Sequence, residues 1–539
     1  MIRRSRPALA LSLALASIAA LPAAAAAQPS AETGVVPRSQ AATPSAAPSA
    51  APLAALGLAA RPRGARRPHG RKGPAAVTSA PAVASPAVAP AAAPLVNFDG
   101  VSSRDSANSN FGQEFEPPDQ GLCAGNGFVL EPVNSAYTIY DESGHALAGP
   151  FNVNGPFNEG LKEFTSDPRC YYEKADHTWL AVILQIGPTE ESSSLDIAVN
   201  SSGDPRTPWT AYKLDTTNPH GNECPCFGDQ PKLGIDASNL YVTADEFSIL
   251  GPAFNGDDLY AFALKDLVAG AAAVHFARFS KLKIAGEPAS SIQPAITDGK
   301  APAEYFLNSI DPTETEGASI GVWALTGVKA VAKGGVPTLS SEVLSSQRFV
   351  MPLPAVQKGT KSKIEADDDR MQQTQFIGGE LWGELSTSVV APGEKKLHDG
   401  AAWFEVEPAI KKGAIGPTTK IVGQGYVTAP GEDFIYPALQ VTPSGNGAMV
   451  GTLTGTKRFP SAAYTQLSPT SGWGPVEVAA EGTTNYDPKA ERWGDYSWAV
   501  MAQNEKAVWL ATEYVPPEAS QTEDGKLDWG TRVFEVPTG

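Results

Sequence analysis

Carboxylates and arginines recur in this chain at matching places in a repeated segment. The fullest copy, FGDQPKLGIDASNLYVTADEF at Phe227–Phe247, contains Gly-Asp, a proline, a short apolar strand, a turn and a second apolar strand. Arginines stand beside three of the copies' opening positions, at Arg169, Arg370 and Arg492. The opening residues are Asp119, Asp167, Asp229, Gln293, Asp369, Tyr436 and Asp495. Such groups can bind a charged ligand, transfer protons or pair with one another.

The repetition predicts an all-β fold, a β-propeller in which each copy opens one blade. The gaps between the opening residues are 48, 62, 64, 76, 67 and 59 residues, which fit a four-stranded blade with loops of uneven length. Alternating apolar residues, as in Leu259–Phe262 and Trp403–Val406, are typical of strands. We expect seven blades, with six or eight as alternatives because some copies are faint.

In a propeller the first strand of each blade lines the central channel, so the opening residues should converge at one end. One interpretation makes the arginine–aspartate pairs salt bridges that hold blades together. A second makes the three arginines a clamp for a carboxylate ligand, with an adjacent aspartate of raised pKa as general acid. In that interpretation Tyr436 and Glu513 would act as nucleophile and base.

A hard cation is the third interpretation of these residues. Ca²⁺ binds carboxylate oxygens, and Asp367, Asp368 and Asp369 form one candidate cluster. These acids are contiguous, whereas a dedicated calcium loop spaces its ligands alternately. We therefore expect no cofactor, with Ca²⁺ as the exception to test.

The start of the chain predicts export. Residues 1–27 have an arginine-containing start, an apolar stretch and a run of alanines, which is the pattern of a secretory signal peptide. Residues 28–94 are dominated by Ala, Pro and Ser and lack aromatics, which predicts a disordered tether. Within them, residues 61–73 form a basic patch that could contact an anionic cell wall or the acidic domain, or remain solvated. Residues 95–539 are the predicted propeller domain.

Charge excludes some partners. Residues 1–27 carry three arginines and no acid, and residues 28–94 carry seven basic residues against one glutamate. The formal charge of −17 for the whole chain therefore leaves −26 on residues 95–539. A domain of this charge repels nucleic acid and anionic membranes. We expect neither as a partner, and the sequence predicts no integral membrane segment.

The four cysteines predict disulfides, because an exported chain with an even number of cysteines is typically oxidised. Cys123 and Cys170 occupy nearly matching places on the first strands of adjacent copies. That placement favours a bridge between them and leaves Cys224 and Cys226 to close a small loop. A zinc site is disfavoured because His220, near this Cys-Pro-Cys, has no second histidine at ligand spacing.

Two hairpin segments are similar to degenerate Asp-box repeats, SGDPRTPW at Ser202–Trp209 and SPTSGW at Ser468–Trp473. The chain therefore resembles sialidase-like propellers with bacterial neuraminidase repeats, over about residues 97–536. Its blade openings, such as PPDQGLCAGNGFV and RWGDYSW, are similar to those of uncharacterised secreted bacterial propellers. The Arg-Ile-Pro motif of sialidases is absent, and Arg104 has no proline after it. The resemblance thus implies the fold, and it links the three opening arginines to a sialidase triad by geometry alone.

These observations predict a secreted or cell-wall-associated propeller that binds a glycan or an extracellular protein without catalysis. The alternative is a glycoside hydrolase of sialidase type, and a third possibility is a purely structural surface protein. Only three strands follow Arg492, so we expect Leu95–Asp99 to supply the fourth strand of the last blade and to close the ring.

Overall fold

The computed structural model of the chain describes most of the predicted propeller and part of the predicted tether. The described residues are 30–42, 79–82, 91–112, 115–160, 163–187, 192–217, 224–250, 253–486, 492–517 and 528–539. The predicted signal peptide (1–27) and basic patch (61–73) lie outside these residues, so both stay predictions.

Antiparallel strands that follow one another in the chain pair into sheets, and the described residues group into seven sets of four strands. Strands β1 (Ser30–Ala42) and β2 (Val96–Ser102) come first in the chain. Set 1 contains β3 (Cys123–Gly125), β4 (Phe128–Val133), β5 (Ala136–Asp141) and β6 (Ala146–Asn152). Set 2 contains β7 (Phe164–Glu173), β8 (Thr178–Ile186), β9 (Ser193–Asn200) and β10 (Trp209–Asp215). Set 3 contains β11 (Cys226–Ile235), β12 (Asn239–Ser248), β13 (Phe254–Ala263) and β14 (Ala273–Ser280).

The remaining strands continue the pattern. After the short hairpin of β15 (Lys283–Ile284) and β16 (Glu287–Pro288), set 4 contains β17 (Gln293–Pro294), β19 (Glu304–Ser309), β20 (Glu316–Thr326) and β21 (Thr338–Val350), with β18 (Ile296–Thr297) beside β17. Set 5 contains β22 (Met371–Ile377), β23 (Glu380–Val390), β24 (Leu397–Glu407) and β27 (Lys420–Val427), interrupted by the hairpin of β25 (Ile410–Lys411) and β26 (Ala414–Ile415). Set 6 contains β28 (Asp433–Val441), β29 (Gly447–Gly455), β30 (Arg458–Ser468) and β31 (Gly472–Trp473), with β32 (Glu477–Ala480) also on β30. Set 7 contains β33 (Trp498–Met501), β34 (Ala507–Tyr514), β35 (Gly530–Pro537) and β2.

The first strands of the sets surround a common centre. Strand β3 contacts β7, and contacts then continue through β11, β17, β22, β28 and β33 back to β3. This closed ring of sheets confirms the predicted all-β propeller. The blade number stays a prediction, for which the grouping into seven sets is the supporting observation.

The ring closes between the two ends of the domain, as predicted. Strand β2 pairs antiparallel with β35, with Val96 opposite Glu535 and Phe98 opposite Val533. The Arg532 side chain donates from Nε to Asn97 Oδ1 at 2.6 Å and forms an ion pair with Asp99 at 2.6 Å. Pairing of this kind removes an open sheet edge from the last set.

Apolar side chains and disulfides join neighbouring sets. One core contains Leu122 of the segment before β3, Val182 of set 2, Val242 of set 3 and Trp509 of set 7, so four sets share it. The disulfide Cys123–Cys170 joins β3 to β7, and Cys224–Cys226 closes the loop before β11. Both predicted disulfides are therefore confirmed.

The segment 30–42 departs from the predicted disorder. Strand β1 lies between β14 and β10 and pairs antiparallel with both. Its Val36 is buried in the core, and Glu32 forms an ion pair with Arg278 at 2.8 Å. Composition alone missed this strand because its partners are two outer strands of the ring, which offer unpaired backbone groups to any extended segment. For the undescribed remainder of residues 28–94, the tether stays a prediction.

Helices are few and short in the described part of the chain. They are α1 (Ser103–Ser109), α2 (Asn154–Phe157), α3 (Leu264–Val268) and a 3-10 helix at Val328–Lys333. Over those residues, none of the helices has the length and apolar character that crossing a membrane requires.

The two hairpins that resemble Asp boxes lie in the turns between outer strands, which is the position of that motif in a propeller blade. Ser202–Trp209 joins β9 to β10, and Ser468–Trp473 joins β30 to β31, so each lies between third and fourth strands. The Trp209 indole is buried and donates to the Pro205 carbonyl at 2.9 Å. Their identity as Asp boxes stays a prediction.

Ring closure should weaken as the pH rises, because a buried glutamate lies beside the closing strand. Glu131 of β4 accepts a hydrogen bond from the Val101 amide of β2 at 2.9 Å, and burial raises its pKa from 4.5 to about 7. Because the folded-state pKa is raised, its contribution is complete below pH 4.5 and is lost as the pH rises through 7, a change of roughly 3 kcal/mol. We expect the urea midpoint of the wild type to fall between pH 5 and 8, and that of Glu131→Gln to fall less. The exposed Glu314→Gln should behave as wild type, and parallel curves for all three would contradict the assignment.

Candidate functional site

In four of the seven sets, the repeated opening is a bulge in the first strand. Register shifts interrupt the pairing of the first two strands between Ser166 and Arg169, Asp229 and Lys232, Met371 and Thr374, and Ile435 and Ala438. A non-glycine residue with left-handed backbone lies at or near most openings: Asp119 (φ 46°), Asp167 (58°), Gln230 (48°), Ser291 (49°), Asp367 (52°) and Tyr436 (54°). Aspartate tolerates this conformation better than most residues. A bulge re-aims side chains, so the bulges explain why polar residues recur there.

Four of the predicted aspartates meet at one cleft. Its lining residues come from sets 1, 2, 3 and 7: Asp119, Phe164, Ser166, Asp167, Leu184, Ile186, Phe227, Asp229, Arg492 and Asp495. The cleft therefore combines four carboxylates and one guanidinium with an apolar wall of two phenylalanines, a leucine and an isoleucine.

Three of the aspartates form a buried cluster across the point of ring closure. Asp119, Asp167 and Asp495 each offer a carboxylate oxygen, and these oxygens lie within 4.8 Å of one another. The Asp495 amide donates to Asp119 Oδ1 at 3.0 Å, which connects set 7 to set 1. Asn134 donates from Nδ2 to Asp119 Oδ2 at 2.7 Å and accepts from the Asp167 amide at 2.8 Å, which connects set 1 to set 2.

The cluster favours a protonated Asp119. Burial raises the pKa of its carboxyl well above the ordinary value, and the neighbouring Asp495 and Asp167 carboxylates raise it further. The Tyr496 hydroxyl donates to Asp167 Oδ1 at 2.7 Å, and burial also raises the pKa of that phenol. Asp167 thus accepts a hydrogen bond, whereas the Asp119 carboxyl group can itself carry a proton. Two acids in such different environments are the elements of acid–base chemistry.

The three predicted arginines do not gather around the cleft. Arg169 is buried, with its guanidinium carbon 3.2 Å from the centroid of the Tyr496 ring and 4.7 Å from that of Trp498. Arg370 binds Asp368 through two nitrogens, with Nε 2.6 Å from Oδ1. Arg492, which lines the cleft, pairs with Asp495.

These ion pairs also differ from the predicted bridges between blades. Arg370 and Asp368 belong to one opening, and so do Arg492 and Asp495. The connection between sets instead runs through Gln230 of β11, which accepts from Arg370 at 2.7 Å and donates to Asp495 Oδ2 at 2.9 Å. Arginine side chains also connect sets, because Arg370 of set 5 donates to Gln230 of set 3 and the Arg169 guanidinium of set 2 lies over the Tyr496 and Trp498 rings at set 7.

The other predicted site residues lie away from the cleft lining. Tyr436 is buried and donates to the Glu365 carbonyl at 3.1 Å, and burial raises its pKa. Glu513 is buried and accepts from the Gly494 amide at 2.6 Å, and burial raises its pKa as well. Asp369 is buried too, and Gln293 donates to the Met371 carbonyl at 2.9 Å. The roles of nucleophile and base proposed for Tyr436 and Glu513 have no geometric support at this cleft.

Sequence reasoning missed the amides that position the carboxylates. Besides Gln230 and Asn134, Gln120 donates from Nε2 to the Tyr496 carbonyl at 2.9 Å. A signal was present, because Asp-Gln occurs at two openings, as Asp119-Gln120 and Asp229-Gln230. The apolar wall gave no comparable signal.

A cation would find oxygen ligands at Asp119, Asp167 and Asp495. The cluster predicted for Ca²⁺ is arranged differently, because Asp367 and Asp368 both contact the Arg370 guanidinium. A guanidinium there supplies the positive charge that an ion would otherwise bring.

Comparison with known proteins leaves the family open. No family model matches the sequence, and no match was found among curated proteins. Among solved structures, the GH93 α-L-arabinofuranosidase of Fusarium graminearum is 11% identical with a TM-score of 0.34, covering 81% of this chain and 97% of that one. The Penicillium chrysogenum α-L-arabinanase is 11% identical with a TM-score of 0.35, covering 82% and 98%. The phage phi92 endosialidase is 8% identical with a TM-score of 0.35, covering 78% and 67%. Likeness at this level assigns no activity.

Arg370 and Arg492 should differ in their structural importance. Arg370→Ala leaves the buried Asp368 without its guanidinium, so we expect a loss of about 3–5 kcal/mol in unfolding free energy. The Arg492 side chain is 33% exposed, so Arg492→Ala should cost about 1 kcal/mol or less. Urea unfolding of both variants measures the contrast. Equal losses would contradict it.

Proposed function

We propose that the cleft binds a carbohydrate that carries no acidic group. The observation that carries the proposal is the composition of the cleft, with four aspartates and one arginine beside an apolar wall. A carboxylate can accept hydrogen bonds from two sugar hydroxyls, one at each oxygen. The rings of Phe164 and Phe227 suit the apolar face of a pyranose or furanose ring. Pockets that combine an apolar wall with a few polar groups are typical binding sites.

The charge of the cleft argues for the ligand class. A sialic acid or uronic acid would bring a carboxylate next to Asp119, Asp167 and Asp495, and like charges repel. Arg492 alone would have to compensate, while it already pairs with Asp495. The −26 charge of residues 95–539 acts in the same direction at longer range. A neutral or amine-bearing sugar avoids this cost, which disfavours the sialoside that the sequence resemblance raised.

Binding should depend on Asp167, whose carboxylate faces the cleft. Asp167→Asn preserves size and an acceptor for the Tyr496 hydroxyl but removes the charge. We expect at least a tenfold loss of affinity, about 1.4 kcal/mol, for a neutral or amine-bearing oligosaccharide found on a glycan array and measured by calorimetry. The matched control is Asp176→Asn in the exposed turn between β7 and β8, which should bind as wild type. Binding restricted to sialosides would contradict the proposal, and so would equal affinities of the two variants. Calorimetry with CaCl₂ or with EDTA identifies any cation requirement.

Glycoside hydrolysis is a second candidate function, and the Asp119–Asp167 pair favours it. Retaining glycosidases use two carboxyl groups about 5–5.5 Å apart, one protonated and one ionised. The raised pKa of Asp119 suits a general acid that protonates the leaving oxygen. Asp167, whose oxygen lies within 4.8 Å of the Asp119 carboxylate, would be the nucleophile.

Turnover of fluorogenic glycosides by the purified chain separates the two functions. For a hydrolase, Asp119→Asn and Asp167→Asn should each lower kcat by 10²-fold or more, whereas Asp176→Asn should not. The alkaline limb of the pH profile should vanish in Asp119→Asn, because kcat requires the protonated acid and falls as the pH rises through its raised pKa. Sialosides belong in the panel as the alternative substrate class. Glycan binding without turnover would exclude the hydrolase and leave a binding module.

A further inference from the structure

A lysine is buried with two aspartates on the side of set 3 that faces set 4. Lys232 of β11 and Asp245 of β12 lie beside the bulge that follows Asp229, and Lys232 Nζ lies 2.7 Å from Asp245 Oδ2. Each side chain is only 3% exposed. Asp257 of β13 is opposite Asp245 in the strand register and is fully buried. The cleft does not use this cluster.

The groups around Asp245 are donors, and they hold its carboxylate in place. The Ser291 amide donates to Asp245 Oδ1 at 2.9 Å, and the Ser291 hydroxyl donates to Oδ2 at 3.0 Å. Ser291 has the left-handed backbone of the set 4 opening, which turns both groups towards the same carboxylate. Asp245 Oδ2 therefore contacts both the Lys232 amine group and the Ser291 hydroxyl, while Oδ1 accepts from the Ser291 amide.

Asp257 supplies the third chemical element, a buried carboxyl able to carry a proton. The Ile292 amide donates to Asp257 Oδ2 at 2.6 Å, which fixes its orientation. Burial raises the pKa of Asp257 well above the ordinary value, and the Asp245 charge raises it further. Burial also acts to raise the pKa of Asp245, but the Lys232 ammonium outweighs it and lowers that pKa. The cluster thus holds an ammonium–carboxylate pair with a protonated acid beside it.

We propose that Lys232 and Asp245 condense into an intramolecular amide, a covalent bond between Lys232 Nζ and Asp245 Cγ. An amine held 2.7 Å from a carboxylate oxygen, in a buried site, has the proximity that makes amide formation feasible without activation by a nucleotide. Asp257 is opposite Asp245 in the strand register, which places a proton carrier beside the pair.

The reaction balances with the groups present. The Lys232 ammonium transfers one proton to the Asp245 carboxylate, and the neutral amine then attacks Cγ. The Ser291 amide, which donates to Asp245 Oδ1, stabilises the oxyanion that develops there, while Oδ2 becomes the departing hydroxyl group. Asp257 donates its proton to the departing hydroxyl group and recovers one from the attacking nitrogen, so its state is unchanged. The C–N bond forms, the C–O bond breaks and one water molecule leaves, without oxidant, reductant or co-reactant.

The consequence would be a permanent link between the first two strands of set 3. The link would begin two residues after Gln230 and three after Asp229, a residue of the cleft wall. A bulge is locally a weak point of a sheet, because its extra residues leave the ladder. An amide across this bulge would fix the position of Asp229 and Gln230 independently of ionic strength and pH.

Mass spectrometry of the full chain, reduced and denatured, tests the proposal. The wild type should be lighter by one water molecule than its sequence requires. A tryptic digest should contain a branched peptide that joins the Lys232 and Asp245 segments, with no cleavage after Lys232. A wild-type mass that matches the unmodified sequence would overturn the proposal, and so would a water loss that maps elsewhere.

Two variants separate the reaction from the ion pair. Lys232→Arg preserves a cation beside Asp245 but should give the full mass, because the guanidinium does not form the amide. Asp257→Asn removes the proton carrier and should also give the full mass, or a fraction of linked chains that grows over days. The exposed Asp298→Asn should lose one water as the wild type does. Immediate and complete water loss in Asp257→Asn would contradict the role of Asp257. The wild-type mass decides the proposal, and the variant masses are compared in samples that circular dichroism shows to be folded.

Discussion

Ring closure by β2 and β35 is the constraint on which the cleft depends. Asp119 is in set 1 and Asp495 opens set 7, so the cluster spans the place where the two ends of the domain meet. The hydrogen bonds from the Asp495 amide to Asp119 and from Gln120 to the Tyr496 carbonyl cross this junction. An open ring would separate these residues and expose the apolar core that set 7 shares with sets 1, 2 and 3. The site therefore exists only in the closed fold, and it contains no local motif that could form independently.

Burial of several carboxylates together requires compensation, and the structure supplies it mostly without cations. Asp119 accepts hydrogen bonds from a backbone amide and from a side-chain N–H, and Asp167 accepts one from a phenol. Asp495 accepts a hydrogen bond from Gln230 and forms an ion pair with Arg492. Neutral donors reduce the cost of burying a carboxylate but do not remove its repulsion with the next one. The remaining repulsion appears as the raised pKa of Asp119. A cluster built in this way keeps its affinity for protons and for hydroxyl donors, which a cluster neutralised by arginines would lose.

The sequence allowed the prediction of the fold class, of ring closure and of the meeting of four aspartates, because all three follow from repetition. Copies at similar spacing imply similar blades, and equivalent positions in blades converge. The partners of each residue were less predictable. One interpretation assigned Arg370 to a salt bridge between blades, but it pairs with Asp368 two residues away and reaches set 3 through Gln230, because a bulge with left-handed Asp367 folds the opening back on itself. Strand β1 was missed because its stability comes from the edges of β10 and β14 and not from its own composition.

Strong links fix the positions of the sets that line the cleft. The disulfide Cys123–Cys170 joins set 1 to set 2, strand β1 joins set 2 to set 3, and the Lys232–Asp245 pair joins the first two strands of set 3. Elsewhere in the described ring, β18 pairs with both β11 and β22, and the His398–Asp433 ion pair joins set 5 to set 6. The sets that carry Asp119, Asp167 and Asp229 are thus held by a covalent bond and by an inserted strand, which gives the fixed geometry that the proposed binding site requires.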